Sequence, residues 1–483
     1  MQRHTAKGRG RRRLLFAALF LAEALFAFAC LQQRYPISGD DYSYLYQAEL
    51  FSQGRLYAES PLYDGGHPLH ACIALNCLRD DDGRRFSKYA PGWPALLAVG
   101  AALGVPWLVG PLLGAALVYL MLLQTERRIG PDLDGAVWAL TASCIFLAYY
   151  AASYRAHVAT ALFVFAAYVV YMRMCGDTEV PRGRAIAGLA ITGALLGYSA
   201  LIRYLDWVPL GLWIGLSLLR RRRHLEIVVF VVAFSAIASG NLAYNAMLAG
   251  SPFTPPTNVP AGAGLHDQLQ LSWDGIRVTA ARLGLLLWVF PAVLLLAFRT
   301  RQIGASGKTY VLLFAIQVGV YFLYPTAIAG PGPRYLLPYL PFLILAVAEL
   351  YGRMRAASPA PARRIWQGVL VLQIAGSVVF AGREAHTIYW RRDVDRTLAT
   401  LADLGARPRI VVLRTGTYRT DRADLVRNPP VLGSNEALIV AGCDDARLDR
   451  LREQYPGREV VEYEFPGRLR PVKAAGARRR VEP

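Results

Sequence analysis

The stretch that decides the fold spans residues 14–46 and reads "LLFAALFLAEALFAFACLQQRYPISGDDYSYLY". Its first part, Leu14 to Leu31, is an apolar run of about 18 residues, close to the length that a helix needs to cross a membrane. A basic cluster precedes it, and no small-x-small cleavage site follows. We therefore predict an uncleaved first span with its N-terminus in the cytoplasm. Asp40 and Asp41 come directly after this span, and paired carboxylates beside a membrane suggest a functional role.

The apolar pattern recurs along most of the chain. Of 483 residues, 54% are hydrophobic and only 18% are charged, whereas a soluble domain carries about 25% charged residues. These values favour a mainly α, polytopic transmembrane helical bundle of about eleven spans. The predicted spans are 14–31, 106–123, 134–151, 157–173, 185–202, 206–219, 225–247, 277–298, 309–327, 335–351 and 364–381.

The basic residues agree with this count. The formal net charge is +19, and much of the arginine lies in short clusters between the apolar runs, such as "RRRRH" at 220–224. If the spans alternate, these clusters all fall on one side, as the positive-inside rule requires. The charge therefore reflects topology, and no basic cluster lies in a recognisable nucleic-acid-binding module, so we expect no nucleic-acid partner. The protein is expected in the cell (inner) membrane as a multi-pass protein.

This topology places two large segments on the external face. Residues 32–94 form a first external loop that bears the acidic pair, and 91–103 is too short to span and is predicted to be an interfacial or re-entrant helix. The transmembrane domain ends near 382. Residues 383–483 contain strand-like runs at 409–413 and 436–442 and a helix-like stretch after them. They are predicted to form a small external α/β domain with a basic, disordered tail.

The first loop also carries Cys72 and Cys77. In an oxidising compartment a disulfide between them is expected. His67 and His70 lie nearby, so a metal site is the alternative, although the spacing matches no strong zinc pattern.

Polar motifs recur on the external side of the predicted topology. They are "KYAPGWP" at the end of the first loop, "SYRAHVA" (153–159), "LIRYLDW" (201–207) and "GPGPRYLLPYLP" (330–341). Ionisable residues beside spans are costly unless they line a polar cavity, so we expect a shared external cavity. The candidate residues in these motifs are Lys88, Tyr89, Arg155, His157, Arg203, Arg334 and Tyr335.

The order of these motifs resembles the GT-C superfamily of membrane glycosyltransferases. The similarity is to the branch that contains protein O-mannosyltransferases and the bacterial aminoarabinose transferase of lipid A. It covers about residues 14–350 and rests on the acidic pair, "KYAPGWPALLA", "SYRAHV", "YNAMLAGSPF" and "GPRYLLPYLP". The pair in that branch is commonly Asp-Glu, whereas here it is Asp-Asp. The tail after 383 resembles no family.

The resemblance implies a sugar donor linked to a polyprenyl phosphate, used on the external face, with a lipid, glycan or protein as acceptor. Elementary chemistry agrees, because the acceptor hydroxyl needs a base and the phosphate leaving group needs cations. No cofactor is expected, although the acidic pair leaves a divalent cation open. The resemblance implies that Asp40 is the catalytic base, that Lys88 is the basic residue of the late-loop motif and that His157 is the histidine of an "SH"-like motif. By position and chemistry, Asp41 is expected to support catalysis. Donor phosphate binding is expected from Lys88, Arg55, Arg334 and Tyr335, and substrate positioning from Tyr89, Arg155, His157 and Arg203.

Other functions share part of this pattern. A lipid or polysaccharide transporter or flippase would also be multispan, but it predicts internal repeats, and none is visible. A scaffold presenting 383–483 leaves the external motifs without a role. A GT-C enzyme with arabinofuranose or oligosaccharide specificity is the nearest enzymatic alternative, because fold alone does not choose the sugar.

Overall fold

The structure is a computed structural model, and it divides into two compact units. The helical unit comprises residues 1–34, 90–255 and 259–385, and the loop unit comprises 35–89, 256–258 and 386–483. The structure describes residues 2–29, 38–59, 63–64, 67–68, 78–81, 83–175, 180–254, 303–322, 334–403, 408–413, 428, 437–441, 445–464 and 468–471.

The helical unit confirms the predicted mainly α fold. Its helices are α1 (Gln2–Ala27), α3 (Gly92–Ala102), α4 (Pro106–Arg128), α5 (Asp134–Ala142), α6 (Ile145–Ala151), α7 (His157–Met174), α8 (Arg182–Ile202), α9 (Val208–Arg220), α10 (His224–Ala249), α11 (Ala305–Phe322), α12 (Leu340–Ala357) and α13 (Pro359–Asp403). A 3-10 helix, Arg334–Tyr339, leads into α12.

Several of these helices can cross a membrane. Among the described residues, six helical stretches are long and apolar enough, and the bent pair α5 and α6 makes a seventh if it counts as one span. The described parts of the predicted runs at 14–31, 206–219 and 309–327 overlap with helices α1, α9 and α11, whereas 277–298 lies outside the described residues. The short helix predicted at 91–103 is α3.

The run at 134–151, predicted as one span, is broken by a 70° bend between α5 and α6. In a membrane, backbone groups freed by such a break need a partner within the protein. Ser377 on α13 supplies one, because its hydroxyl donates to the Ser143 carbonyl at 2.5 Å and accepts from the Ile145 N–H at 3.4 Å.

Helices α8 and α10 approach each other closely because α8 carries small residues on one face. A Cβ at Gly193 would lie 2.4 Å from the Phe230 carbonyl oxygen, and one at Gly197 would lie 2.5 Å from that of Phe234. Small residues four apart allow two helix backbones to come together in the absence of a hydrophobic driving force.

The loop unit combines the first large loop of the sequence with the C-terminal region. Helix α2 (Gly39–Ser52) precedes the strands of the loop, β1 (Ala58–Glu59), β2 (Tyr63–Asp64), β3 (His67–Pro68), β4 (Leu78–Asp81) and β5 (Arg84–Ser87). Strand β5 pairs antiparallel with both β1 and β4, and β2 pairs antiparallel with β3.

The C-terminal region has the α/β character predicted from its sequence. Its elements are β6 (Arg409–Leu413), β7 (Ala437–Ala441), α14 (Asp445–Gln454), β8 (Glu459–Glu464) and β9 (Arg468–Pro471). The sheet order is β7-β6-β8-β9, with β6 parallel to β7 and β8 and with β9 antiparallel. Alternate residues Ile410 and Val412 of β6 pack with Leu448 and Leu451 of α14 in a small core. The predicted disordered tail, from 472 onward, lies outside the described residues.

Candidate active site

The first turn of α2 separates the roles of the two adjacent acids. Ser38 precedes the helix, and its Oγ accepts from the Asp41 backbone N–H at 3.3 Å and donates to Asp41 Oδ2 at 2.7 Å. The Ser38 hydroxyl therefore caps the helix by accepting from a backbone N–H that would otherwise be left open, and the Asp41 carboxylate accepts the hydrogen of that hydroxyl. Asp41 is only 1% exposed. Its carboxylate therefore stabilises the start of the helix.

Asp40 is half-buried and faces a different set of groups. The Tyr89 hydroxyl donates to Asp40 Oδ1. The Tyr89 ring stacks on Tyr44 at 4.4 Å between centroids, and Lys88 Nζ lies 5.2 Å from the centroid of the Tyr89 ring. The structure thus brings the predicted base, Asp40, together with Lys88 and Tyr89 around one aromatic side chain.

Buried hydrogen bonds fix α2 against the chain that carries Lys88 and Tyr89. Ser43 Oγ and Ser87 Oγ lie 2.7 Å apart, and the Ser87 N–H donates to Gln47 Oε1 at 2.9 Å. The Gln47 amide also donates to the Leu56 carbonyl at 2.7 Å. Because Ser43 and Gln47 are four residues apart, they lie on one face of the helix. Their bonds set the position of Asp40 relative to Tyr89.

A second polar cluster lies in the helical unit. Arg203 is at its centre: Arg203 Nη1 lies 3.2 Å from His157 Nε2, and the guanidinium lies 4.8 Å from the centroid of the Tyr335 ring. Arg334 lies 5.1 Å from the same centroid, and Arg155 Nη1 donates to the Tyr150 hydroxyl at 3.4 Å. The charges of all three arginines act on the His157 ring. Predicted residues from three separate segments therefore converge.

The backbone explains this convergence. His157 is the first residue of α7, Arg203 directly follows α8, and Arg334 opens the 3-10 helix before α12. Each residue thus sits at a helix end. Because α7 and α8 run in opposite directions, the start of one lies beside the end of the other.

Sequence reasoning missed the acid that organises this cluster. Asp206 is fully buried and accepts from Arg203 Nε at 2.5 Å, Gln317 Nε2 at 2.9 Å and the Tyr321 hydroxyl at 2.6 Å. Its backbone carbonyl accepts from the Tyr339 hydroxyl at 2.9 Å. The available signal was an ionisable residue between two apolar runs, three positions after an arginine.

Solved structures with a similar fold identify the architecture of this chain. ArnT from Cupriavidus metallidurans, in a crystal structure with undecaprenyl phosphate, is 13% identical over 92% of each chain, with a TM-score of 0.58. Its apo structure gives 14% identity and a TM-score of 0.56. The Archaeoglobus fulgidus oligosaccharyltransferase, in a complex with Zn and sulfate, is 12% identical, with a TM-score of 0.53 over 93% of this chain and 67% of its own. The chain has the GT-C fold. No family model and no curated protein matches its sequence.

This fold agrees with the fold that the motifs predicted, and the six long apolar helical stretches in the described residues support a multi-pass membrane protein. Arg55 lies beyond the end of α2 that is opposite Asp40. The Arg55 N–H bonds to the Leu50 carbonyl at the end of α2. Leu50 comes ten residues after Asp40 in that helix, so the Arg55 backbone lies roughly 15 Å along the helix axis from Asp40.

The two carboxylates of the acidic pair point in different directions. Neighbouring helical side chains point about 100° apart, and here Asp40 and Asp41 face different partners. In the described part of the chain, no group of three His, Cys, Asp or Glu side chains could hold an ion. His70, Cys72 and Cys77 lie outside the described residues, so the disulfide and the alternative metal site stay predictions.

Proposed function

We propose that this chain is an integral-membrane glycosyltransferase that moves a sugar from a polyprenyl-phosphate-linked donor to an acceptor hydroxyl on the external face. The observation that carries the proposal is Asp40, a half-buried carboxylate held by the Tyr89 hydroxyl beside Lys88. The GT-C fold supports it, because this fold occurs in ArnT and an oligosaccharyltransferase.

Asp40 is the group best suited to act as the base. It accepts the proton of the acceptor hydroxyl while the acceptor oxygen forms a bond to the anomeric carbon of the sugar. The bond from that carbon to the lipid phosphate breaks, and its electron pair leaves with the phosphate. The hydrogen bond from Tyr89 holds the carboxylate in one orientation, which lowers the entropic cost of reaching the transition state.

Positive side chains suit the departing phosphate. Lys88, which lies beside Asp40 and Tyr89, is assigned to bind it and to stabilise its growing charge. Arg155, Arg203 and Arg334 form a cationic cluster around His157 that suits an anionic ligand. Arg203 is held in place by the buried Asp206. That the ArnT structure is bound to undecaprenyl phosphate supports a polyprenyl phosphate as the lipid. The sugar and the acceptor are left open.

The test is turnover of a panel of polyprenyl-phosphate hexoses and pentoses by the purified protein in liposomes, followed as release of polyprenyl phosphate. We expect one donor to be consumed. Asp40→Asn should lower turnover by about 10²–10⁴-fold, the usual contribution of a positioned base, with donor binding retained. Asp445→Asn is the matched control, because Asp445 also begins a helix of the loop unit but is exposed.

Two results would contradict the proposal. Turnover by Asp40→Asn near that of the unaltered protein would remove Asp40 as the base. Movement of a labelled lipid across the bilayer without consumption of any donor would favour a flippase instead.

A further inference from the structure

The contact between Arg203 and His157 fixes the tautomer of the histidine. A guanidinium group has hydrogen-bond donors and no acceptor. Arg203 Nη1 lies 3.2 Å from His157 Nε2, so Nε2 must supply a lone pair. The imidazole is then neutral and carries its hydrogen on Nδ1.

This buried Nδ1–H has no hydrogen-bond acceptor among the described residues. The His157 side chain belongs to a residue only 3% exposed, and its Nδ1 has no hydrogen-bond partner among the described residues. Buried donors are nearly always paired in native proteins, and an unpaired one destabilises the fold. A donor left in this state, among polar groups, is expected to pair with a ligand.

The surroundings of His157 select the chemistry of that ligand. The ring meets Tyr150 and Tyr335 edge-on at 5.1 and 5.8 Å between centroids, and the charges of Arg155, Arg203 and Arg334 act on it. Protonation would add a fourth positive charge and would abolish the bond from Arg203. The site therefore suits an anionic oxygen that accepts from a neutral imidazole.

We infer that His157 donates its Nδ1–H to a phosphate oxygen of the lipid-linked donor and acts as a neutral binding group, not as a base. The inference rests on the proposed function. Asp206 accepts from Arg203, and Arg203 donates to His157, so Asp206 orients the imidazole through the arginine.

Two substitutions separate the two ring nitrogens. The amide nitrogen of Asn is as many bonds from Cα as Nδ1, whereas that of Gln corresponds to Nε2. We expect His157→Asn to bind undecaprenyl phosphate within about threefold of the unaltered protein. His157→Gln and His157→Ala should weaken binding about 10–100-fold, as expected for a lost hydrogen bond to a charged group. His224→Asn and His224→Gln are matched controls, because His224 also begins a helix but is exposed.

Nitrogen NMR of histidine-labelled protein provides a readout that a purely structural role would not move. We expect a neutral Nδ1–H tautomer for His157 and a shift of that nitrogen when phosphate is added. A spectrum with the hydrogen on Nε2 would overturn the inference. So would equal binding of undecaprenyl phosphate by all variants, or binding that is retained in His157→Gln and lost in His157→Asn. If His157→Ala and His157→Gln do not fold, binding by His157→Asn and the nitrogen spectrum of the unaltered protein still test the inference.

A parallel titration with inorganic phosphate distinguishes this inference from the proposed function. If inorganic phosphate binds with the same ranking of variants but undecaprenyl phosphate does not bind, His157 still donates a hydrogen bond to an anion. The proposal of a lipid-linked sugar substrate is then refuted. If neither binds to the unaltered protein, the inference about His157 is wrong.

Discussion

Asp40 and Asp41 are chemically identical neighbours, yet the structure gives them different environments. Asp41 is buried and accepts from the hydroxyl of Ser38, the N-cap residue of α2, and Asp40 is half-buried against Tyr89. The helical turn between adjacent residues produces this difference. Substitutions at the two positions should therefore have different effects.

We predict that Asp41→Ala acts mainly on stability. Loss of the hydrogen bond from the Ser38 hydroxyl to the buried Asp41 carboxylate should lower the free energy of unfolding by about 1–3 kcal/mol, the usual range for a buried hydrogen bond to a carboxylate. Turnover per folded molecule should fall at least tenfold less than in Asp40→Asn, because the base is still present. Thermal unfolding and turnover of both variants provide the measurement. Equal losses of turnover would show that both acids take part in the chemistry.

Glu49 on α2 predicts a dependence of stability on pH. Burial raises the pKa of Glu49 from 4.5 to about 7. Below pH 4.5 the carboxyl is protonated whether the chain is folded or unfolded, so it has no effect on stability. As the pH rises toward 7 the unfolded chain ionises first, and stability is lost until the folded carboxyl also ionises.

Glu49→Gln should therefore raise the unfolding temperature at pH 8 and leave it nearly unchanged at pH 4, below the pKa of the unfolded carboxyl. Glu453→Gln, at an exposed position of α14, should change neither value. An equal rise in unfolding temperature at both pH values would show that the effect of Glu49→Gln does not come from ionisation of the carboxyl group.

At the scale of elements, the contact between α8 and α10 depends on the absence of side chains. We predict that Gly193→Ala destabilises the helical unit by about 1–3 kcal/mol, the usual cost of overpacking. The added Cβ would lie 2.4 Å from a backbone oxygen, which cannot rotate away. Gly215→Ala on α9 meets nothing within 4 Å and should be neutral or stabilising, because alanine favours a helix. Thermal unfolding in one detergent compares them, and similar values for the two variants would contradict the close packing.

The sequence predicted most elements because apolar runs and basic clusters are local signals. The runs at 157–173 and 185–202 match α7 and α8 closely. The break between α5 and α6 was missed because composition does not change there, and the bend depends on Ser377, more than 200 positions away. Asp206 was missed for a similar reason: its partners, Gln317 and Tyr321, come from α11 and are brought near only by folding.

At the scale of the whole molecule, residues 35–89 and 386–483 fold as one unit. Segments of one folded unit lie on the same side of a membrane, so an even number of crossings separates them. The eleven-span topology has this property and places both segments outside. Reporter fusions at Arg223 and Gly382 should therefore give opposite sidedness, Arg223 inside and Gly382 outside. Equal signals at both positions would contradict this topology.

Asn428 connects the C-terminal sheet with the helix that carries the acidic pair. Its side-chain amide donates to the Ile439 carbonyl at 2.8 Å and accepts from the Ile439 N–H at 2.9 Å, as a neighbouring strand would. Its backbone carbonyl accepts from the hydroxyl of Tyr42, the residue that follows the acidic pair. The C-terminal domain is thereby joined to α2 next to Asp40 and Asp41.

We predict that this link positions the acidic pair. Asn428→Ala releases the residue from β7 and Tyr42→Phe removes the hydroxyl, so each should speed hydrogen exchange in residues 39–52 and lower turnover several-fold. Because both variants break one link, the double variant should be no worse than the more affected single variant, which is the signature of coupled sites. Arg409→Gln is the control, since it removes only a partly exposed ion pair with Glu459 in the same sheet, and such pairs contribute about 0–1 kcal/mol. Additive losses, or unchanged exchange in residues 39–52, would mean that the C-terminal domain does not hold α2 through Asn428.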